Sequence, residues 1–244
     1  MKKKIGYVIS YAEGHNNYGS SLQAYALLSK LLILGYDVEI IRYINQRTLL
    51  DQIVLLYKMV QCYETKHKFM ILRKKLFLML NRHYKNNECI RTSSVNLFKE
   101  EFLIPYFRVC NSYNELRKCS KRYDTVIVGS DQVWSPLSLY SKFTNLLFVD
   151  DQIPRISYAS SFGVSKVPKI QIKETAFYLN RFNYISTRET SGKKIIESLT
   201  DKKAKVVADP TLLMRGSEWI DFIKNTKIDV SEPYIFCYLL GKNK

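Results

Sequence analysis

The chain has 244 residues, 46% of them hydrophobic, with only nine glycines and six prolines. This excludes a linker-like or low-complexity chain and leaves room for one large domain or two small ones. Five cysteines (Cys62, Cys89, Cys110, Cys119 and Cys237), odd in number and without a CxxC pair, argue against a disulfide framework or a zinc ribbon. The formal net charge of +16 is uneven: ten Lys/Arg against three Asp/Glu fall between residues 44 and 95, a net of +7. Such a patch suits anionic partners, whether membrane headgroups, nucleic acid or anionic substrates.

Three lysines ahead of a short apolar run imitate a secretion signal at the start of the chain. The run is too short for one, and polar Glu13, His15 and Asn16 follow at once, so a first strand over 4–10 is predicted instead. No stretch approaches the ~20 apolar residues of a membrane span. Leu22, Tyr25, Ala26, Leu28 and Leu32 have the spacing of a buried helix over 18–34, ended by Gly35. A second strand over 37–43 completes the β–loop–helix–β unit of a parallel sheet. Residues 49–85 read as a long helical region with basic and aromatic residues interleaved, followed by helices over 95–102 and 113–119. Strands are predicted over 125–129, 155–161, 184–187 and 205–207. Helices are predicted over 169–182, over 189–199 (capped by Ser186 or Thr187) and over 217–223 with Ser217 as N-cap. The alternation predicts a Rossmann-like, doubly wound α/β fold with a mostly parallel sheet. In such sheets ligands bind outside the carboxyl ends of the strands.

The loops at those ends carry the candidate chemistry. In the first, Gly14 and Gly19 have the spacing of a P-loop, but Ser20 stands where the lysine must be. Nothing there screens a β/γ-phosphate, so an NTPase is excluded, and no GxGxxG is present either. What remains is Asn17-Tyr18-Gly19-Ser20 feeding a helix N-terminus, read either as an anion site or as a tight turn with serine caps. His15 is a candidate general acid, or a solvated loop residue. In the second loop a strand delivers Ser130, Asp131 and Gln132 together. Asp131 can act as a base on a hydroxyl or cap a turn. Trp134 can form a platform for a sugar ring or pack under the loop. Ser160 lies in a run of small residues, 157–163, where a ligand or another backbone can approach closely. Arg188 leaves a strand just as a helix begins, a setting for phosphate or carboxylate, or for a surface pair with Glu189. Asp209-Pro210 reads as a turn.

Taken in order, several pieces resemble the polysaccharide pyruvyl transferase family. They are Asn17-Tyr18-Gly19-Ser20-Ser21-Leu22-Gln23-Ala24-Tyr25-Ala26-Leu27, Gly129-Ser130-Asp131-Gln132-Val133-Trp134 and Ser157-Tyr158-Ala159-Ser160-Ser161-Phe162-Gly163. Ser186-Thr187-Arg188-Glu189, Asp209-Pro210-Thr211-Leu212-Leu213 and the run over 234–241 follow. The basic region carries none of it. The resemblance implies the N-terminal half of a GT-B-like architecture: a Rossmann-like domain over 1–233 with a basic helical insertion at 44–95. The strand over 234–241 then opens a second, cleft-forming half, truncated at Lys244.

It also implies a transferase that moves the enolpyruvyl group of phosphoenolpyruvate onto two hydroxyls of a cell-surface glycan sugar as a ketal, releasing phosphate. Its setting is cytoplasmic, in exopolysaccharide or cell-envelope synthesis, and its acceptor is a glycan or lipid-linked oligosaccharide. No cofactor and no metal are needed. On this reading Arg188 is the foremost contact to the donor's anionic groups and the Asn17–Ser20 loop the second. Asp131 accepts a proton from an acceptor hydroxyl, and His15 is the other catalytic candidate. Ser130, Gln132, Trp134, Ser160 and Glu189 complete the substrate-binding set with Asn17, Tyr18, Gly19 and Ser20. Two alternatives are a GT-B glycosyltransferase using a nucleotide sugar and a non-catalytic basic module. The latter would dock on anionic lipid through the amphipathic stretch over 49–91. Peripheral docking at the inner face of the membrane is compatible with catalysis, because a lipid carrier can hold the glycan. Nucleic acid is not an expected partner.

Overall fold

The computed structural model describes residues 2–10, 17–44, 82–136 and 142–223, with the backbone alone at 82–85, 87 and 88. His15, most of the basic helical region and the strand predicted over 234–241 lie outside these residues.

β1 (Lys4–Val8), α1 (Tyr18–Ile33) and β2 (Asp37–Tyr43) form the predicted opening unit. Asn17 caps α1, its Oδ1 accepting the N–H of Ser20, so the asparagine does what was expected of the serines. Gly35 ends the helix at φ +87°, a left-handed conformation that a side chain would strain. There follow α2 (Arg82–Phe102), β3 (Phe107–Cys110), α3 (Tyr113–Ser120), β4 (Thr125–Val128), β5 (Arg155–Ser160), α4 (Ile172–Asn180), β6 (Tyr184–Thr187), α5 (Thr190–Leu199) and β7 (Ala204–Val206). A separate compact unit begins at Met214 and contains α6 (Gly216–Ile223). At its start the Glu218 carboxylate accepts the N–H of Arg215, a capping part that was expected of Ser217.

The strands form one seven-stranded sheet in the order β3-β2-β1-β4-β5-β6-β7, every pair parallel. This is the Rossmann-like arrangement the alternation implied. β3 carries no sequence signal: it has four residues, follows a Pro105 turn, and among the described residues bonds only to β2, leaving Arg108 and Val109 exposed. Period-two alternation divides the core into two layers. Tyr7, Ile40 and Ile127 face α1 with Leu27, Leu28 and Leu31. Val8, Ile41, Val126 and Val128 face the opposite way, with Leu116 of α3, Leu179 of α4 and Ile196 of α5. Each such fully buried aliphatic side chain contributes about 1.5–3 kcal/mol. Strand order reverses between β1 and β4, so the crevice at their carboxyl ends is the switch point where folds of this class bind ligands. Among the described residues no helix is long and apolar enough to cross a membrane.

Candidate functional site

The carboxyl edge of β5 is irregular, and serines repair it. Ala159 has φ +52° and Asp131, just beyond β4, has φ +84°, both rare for residues with a Cβ. The β5–β6 register shifts between Ser157 and Ser160. Where the backbone ladder fails, Ser157 Oγ donates to Ser186 O, Ser186 Oγ donates to Ser157 O, and Ser186 Oγ accepts the N–H of Ala159. Ser130 Oγ donates to Ala159 O and Ser160 Oγ to Gly129 O, fastening β4 to β5. Backbone strain of this kind concentrates at ligand sites, where the surrounding structure must hold it.

Arg188 emerges from β6 at this edge. Its Nη1 donates to Asp209 Oδ2 at 2.9 Å, and its other guanidinium N–H groups have no partner among the described residues. Asp209 is fixed in turn by Thr211, whose N–H and Oγ donate to Oδ1 at 3.0 and 2.7 Å. The segment that carries Asp209 leaves β7 and returns across the strand ends, so that the 3-10 turn Pro210–Leu213 packs against α1. A stretch that reads as a plain turn in sequence thereby positions the arginine. The expected alternative, an Arg188–Glu189 pair, does not form. Glu189 Oε1 instead accepts Ser161 Oγ at 2.7 Å and the N–H of Phe162. Glu189 occupies the N-cap position of α5 without a side-chain cap bond, so neither Ser186 nor Thr187 caps that helix. Thr187 is fully buried, with Gly192 directly over its hydroxyl.

Two tyrosines outside the predicted set lie near the carboxyl ends of the central strands. Tyr7 of β1 and Tyr158 of β5 lie on the α1 face of the sheet, on either side of Gly129 at the end of β4. A Cβ at Gly129 would stand 2.6 Å from the Tyr7 hydroxyl, so glycine alone leaves the ring its place. Burial, and then the charge of Asp209, pushes both phenols above their ordinary range, which keeps them protonated. The one sequence sign of Tyr7 is a phenol in an otherwise aliphatic central strand.

The predicted residues divide into two groups. Asp131, Ser160 and Thr187 are neighbours across β4, β5 and β6, which places the backbones of Asp131 and Arg188 about 10 Å apart at ~4.8 Å per strand. Asp131 Oδ1 accepts the N–H of Gln132, and exposed Gln132 lies over Gly163. Asn17, Tyr18, Gly19 and Ser20 form the N-terminal turn of α1, tied to the end of β1 by Ser20 Oγ donating to Ser10 O. Tyr18 has the Arg91 guanidinium over its ring at 5.3 Å. Ser130, Trp134 and Ser160 belong instead to the support of the loops. Ser130 and Ser160 are 5% and 0% exposed and donate to backbone carbonyls, which leaves little of them for a ligand. The Trp134 ring packs among Phe162, Tyr178 and Phe182 under its loop, the second of its two readings. His15 lies outside the described residues. A surface cavity of about 150 Å³ lined by Arg117, Lys121, Asp150 and Arg181 sits on the opposite, amino side of the sheet and includes none of the candidates. Among the described residues no group of three His, Cys, Asp or Glu could hold a metal ion.

Fold and site together define a Rossmann-like α/β protein with a cation and a helix N-terminus at the carboxyl edge of its sheet. The model of one family, polysaccharide pyruvyl transferase, matches residues 17–244. The chain belongs to that family, as its motifs had implied. No curated protein and no solved structure gives a significant match.

Proposed function

We propose that the chain acts in transfer of the pyruvyl group of phosphoenolpyruvate to a glycan, through the carboxyl edge of the sheet. The observation that carries this reading is Arg188, oriented by Asp209 with part of its planar fork unpaired at a strand end. A guanidinium suits the phosphate and carboxylate of that donor, because both accept two parallel N–H bonds. Membership of the family supplies the class of reaction. In the proposed chemistry the donor methylene takes a proton, C2 becomes electrophilic, and a sugar hydroxyl adds while losing its proton. A second hydroxyl then displaces phosphate, leaving a cyclic ketal. Asp131, with one carboxylate oxygen bonded to Gln132, is the candidate acceptor of a hydroxyl proton. The Asn17–Ser20 turn offers helix N–H groups to a second anionic group.

The test is phosphate release from phosphoenolpyruvate by the full chain in the presence of lipid-linked or oligomeric glycans. Arg188→Ala should weaken donor binding by about ten-fold or more, the size of a lost hydrogen bond to a charged group. Unchanged donor affinity would remove Arg188 from the site. Thermal protection by nucleotide sugars and not by phosphoenolpyruvate would favour a glycosyltransferase.

A further inference from the structure

The Tyr7 hydroxyl is a polar group that the fold has placed at the carboxyl edge of the sheet. Tyr7 is 1% exposed, and no hydrogen bond to its hydroxyl is found among the described residues, although that oxygen is not one of the side-chain atoms shut off from solvent without a partner. The ring is not filling space by chance. It leans along β1 toward the carboxyl edge and over Gly129, where a Cβ would stand 2.6 Å from the hydroxyl oxygen and 2.7 Å from Cε2. Tyr7 pairs with Ile127, two residues before that glycine and on the same face, so the hydroxyl reaches the last residue of the β4 ladder. This is the switch-point crevice between β1 and β4. Gly129 is held in place by Ser160 Oγ, which donates to its carbonyl, and the chain beyond it turns at Asp131 with φ +84°. The negative charge of Asp209, the partner of Arg188, adds to burial in holding the phenol protonated.

We infer that Tyr7 is a donor-substrate-binding residue, its hydroxyl donating a hydrogen bond to an anionic oxygen of the bound phosphoenolpyruvate. The inference rests on the donor assignment made above. The direction of the bond follows from the phenol remaining protonated at neutral pH beside Asp209. Asp209 repels a bare anion, so the site needs a neutral donor on the β1 side to complement the arginine on the β6 side. Tyr7 supplies one without adding charge. Tyr158, half-buried on the same face, flanks the position from β5.

The experiment compares the full chain with its Tyr7→Phe and Arg188→Ala variants by calorimetric titration with phosphoenolpyruvate, and by melting each without ligand. Tyr7→Phe removes one oxygen and keeps the ring. The expected result is a dissociation constant raised about ten-fold or more, with a melting temperature equal to that of the parent or higher, since the lost hydroxyl has no partner among the described residues. Binding as tight as the parent's overturns the inference. So does a lower melting temperature, which would mean that the hydroxyl is already paired within the protein. Loss of binding in Arg188→Ala with none in Tyr7→Phe leaves the donor reading standing and sinks the role of Tyr7. A parent chain that does not bind phosphoenolpyruvate overturns the donor reading, and the inference with it.

Discussion

Trp134→Ala asks whether the indole supports its loop or offers a surface. The ring is 3% exposed, and its centre lies 5.3 Å from Phe162, 5.9 Å from Tyr178 and 5.4 Å from Phe182. A tryptophan at that depth removes about 200 Å² from water. At about 25 cal/mol per Å² that is ~5 kcal/mol, and truncations of buried aromatics cost about 3–5 kcal/mol once neighbours relax. At ~2–4 °C per kcal/mol for a unit of this size, the melting temperature should fall by roughly 6–20 °C. Trp134→Phe separates volume from polarity. Nε1 is buried without a partner among the described residues, and removing such a donor relieves a penalty of about 1–3 kcal/mol. That relief offsets much of the lost area, so the phenylalanine variant should lose less than about 1.5 kcal/mol. Urea and thermal unfolding followed by circular dichroism measure both. A loss below about 1 kcal/mol for the alanine variant, in the range of exposed positions, would refute the packing argument and return the ring to the surface.

Gly129→Ala should cost about 1–3 kcal/mol through overpacking against Tyr7, and a melting curve identical to the parent's would show that the ring does not lie there. Glu39 tests the opposite, amino side of the sheet, where its carboxylate accepts Lys4 Nζ at 2.7 Å and the Tyr123 hydroxyl at 2.8 Å. Burial raises its pKa, but those two bonds and the charges of Lys4 and Arg122 outweigh burial and hold it below the ordinary range. The unfolded chain therefore binds the proton first. The contribution of Glu39 is full above the unfolded pKa and is lost as pH falls through the lower folded one. Denaturant midpoints across that acid window should fall more steeply for the parent than for Glu39→Gln, and parallel curves would contradict the assignment.

The sequence by itself determined the fold class and the family. Apolar runs in the central strands, the helical spacing of α1 and the glycine after it are local signals, and each depends on residues within a turn or two of one another. β3 escaped, because an edge strand of four residues with exposed Arg108 and Val109 has no apolar alternation to read, and α2 runs unbroken through residues 86–94, between the two stretches read as helical. The site was legible only in part. Arg188 and Asp131 announced themselves as polar residues at strand ends. Only the tertiary structure decided what they meet. Asp209, not adjacent Glu189, holds Arg188 across 21 positions of sequence, because the chain after β7 folds back over the strand ends to reach α1. The pairing of β1 with β4 likewise brings Tyr7 over Gly129. Burial, likewise a property of the whole fold, turned Trp134, Ser130 and Ser160 from candidate contacts into supports.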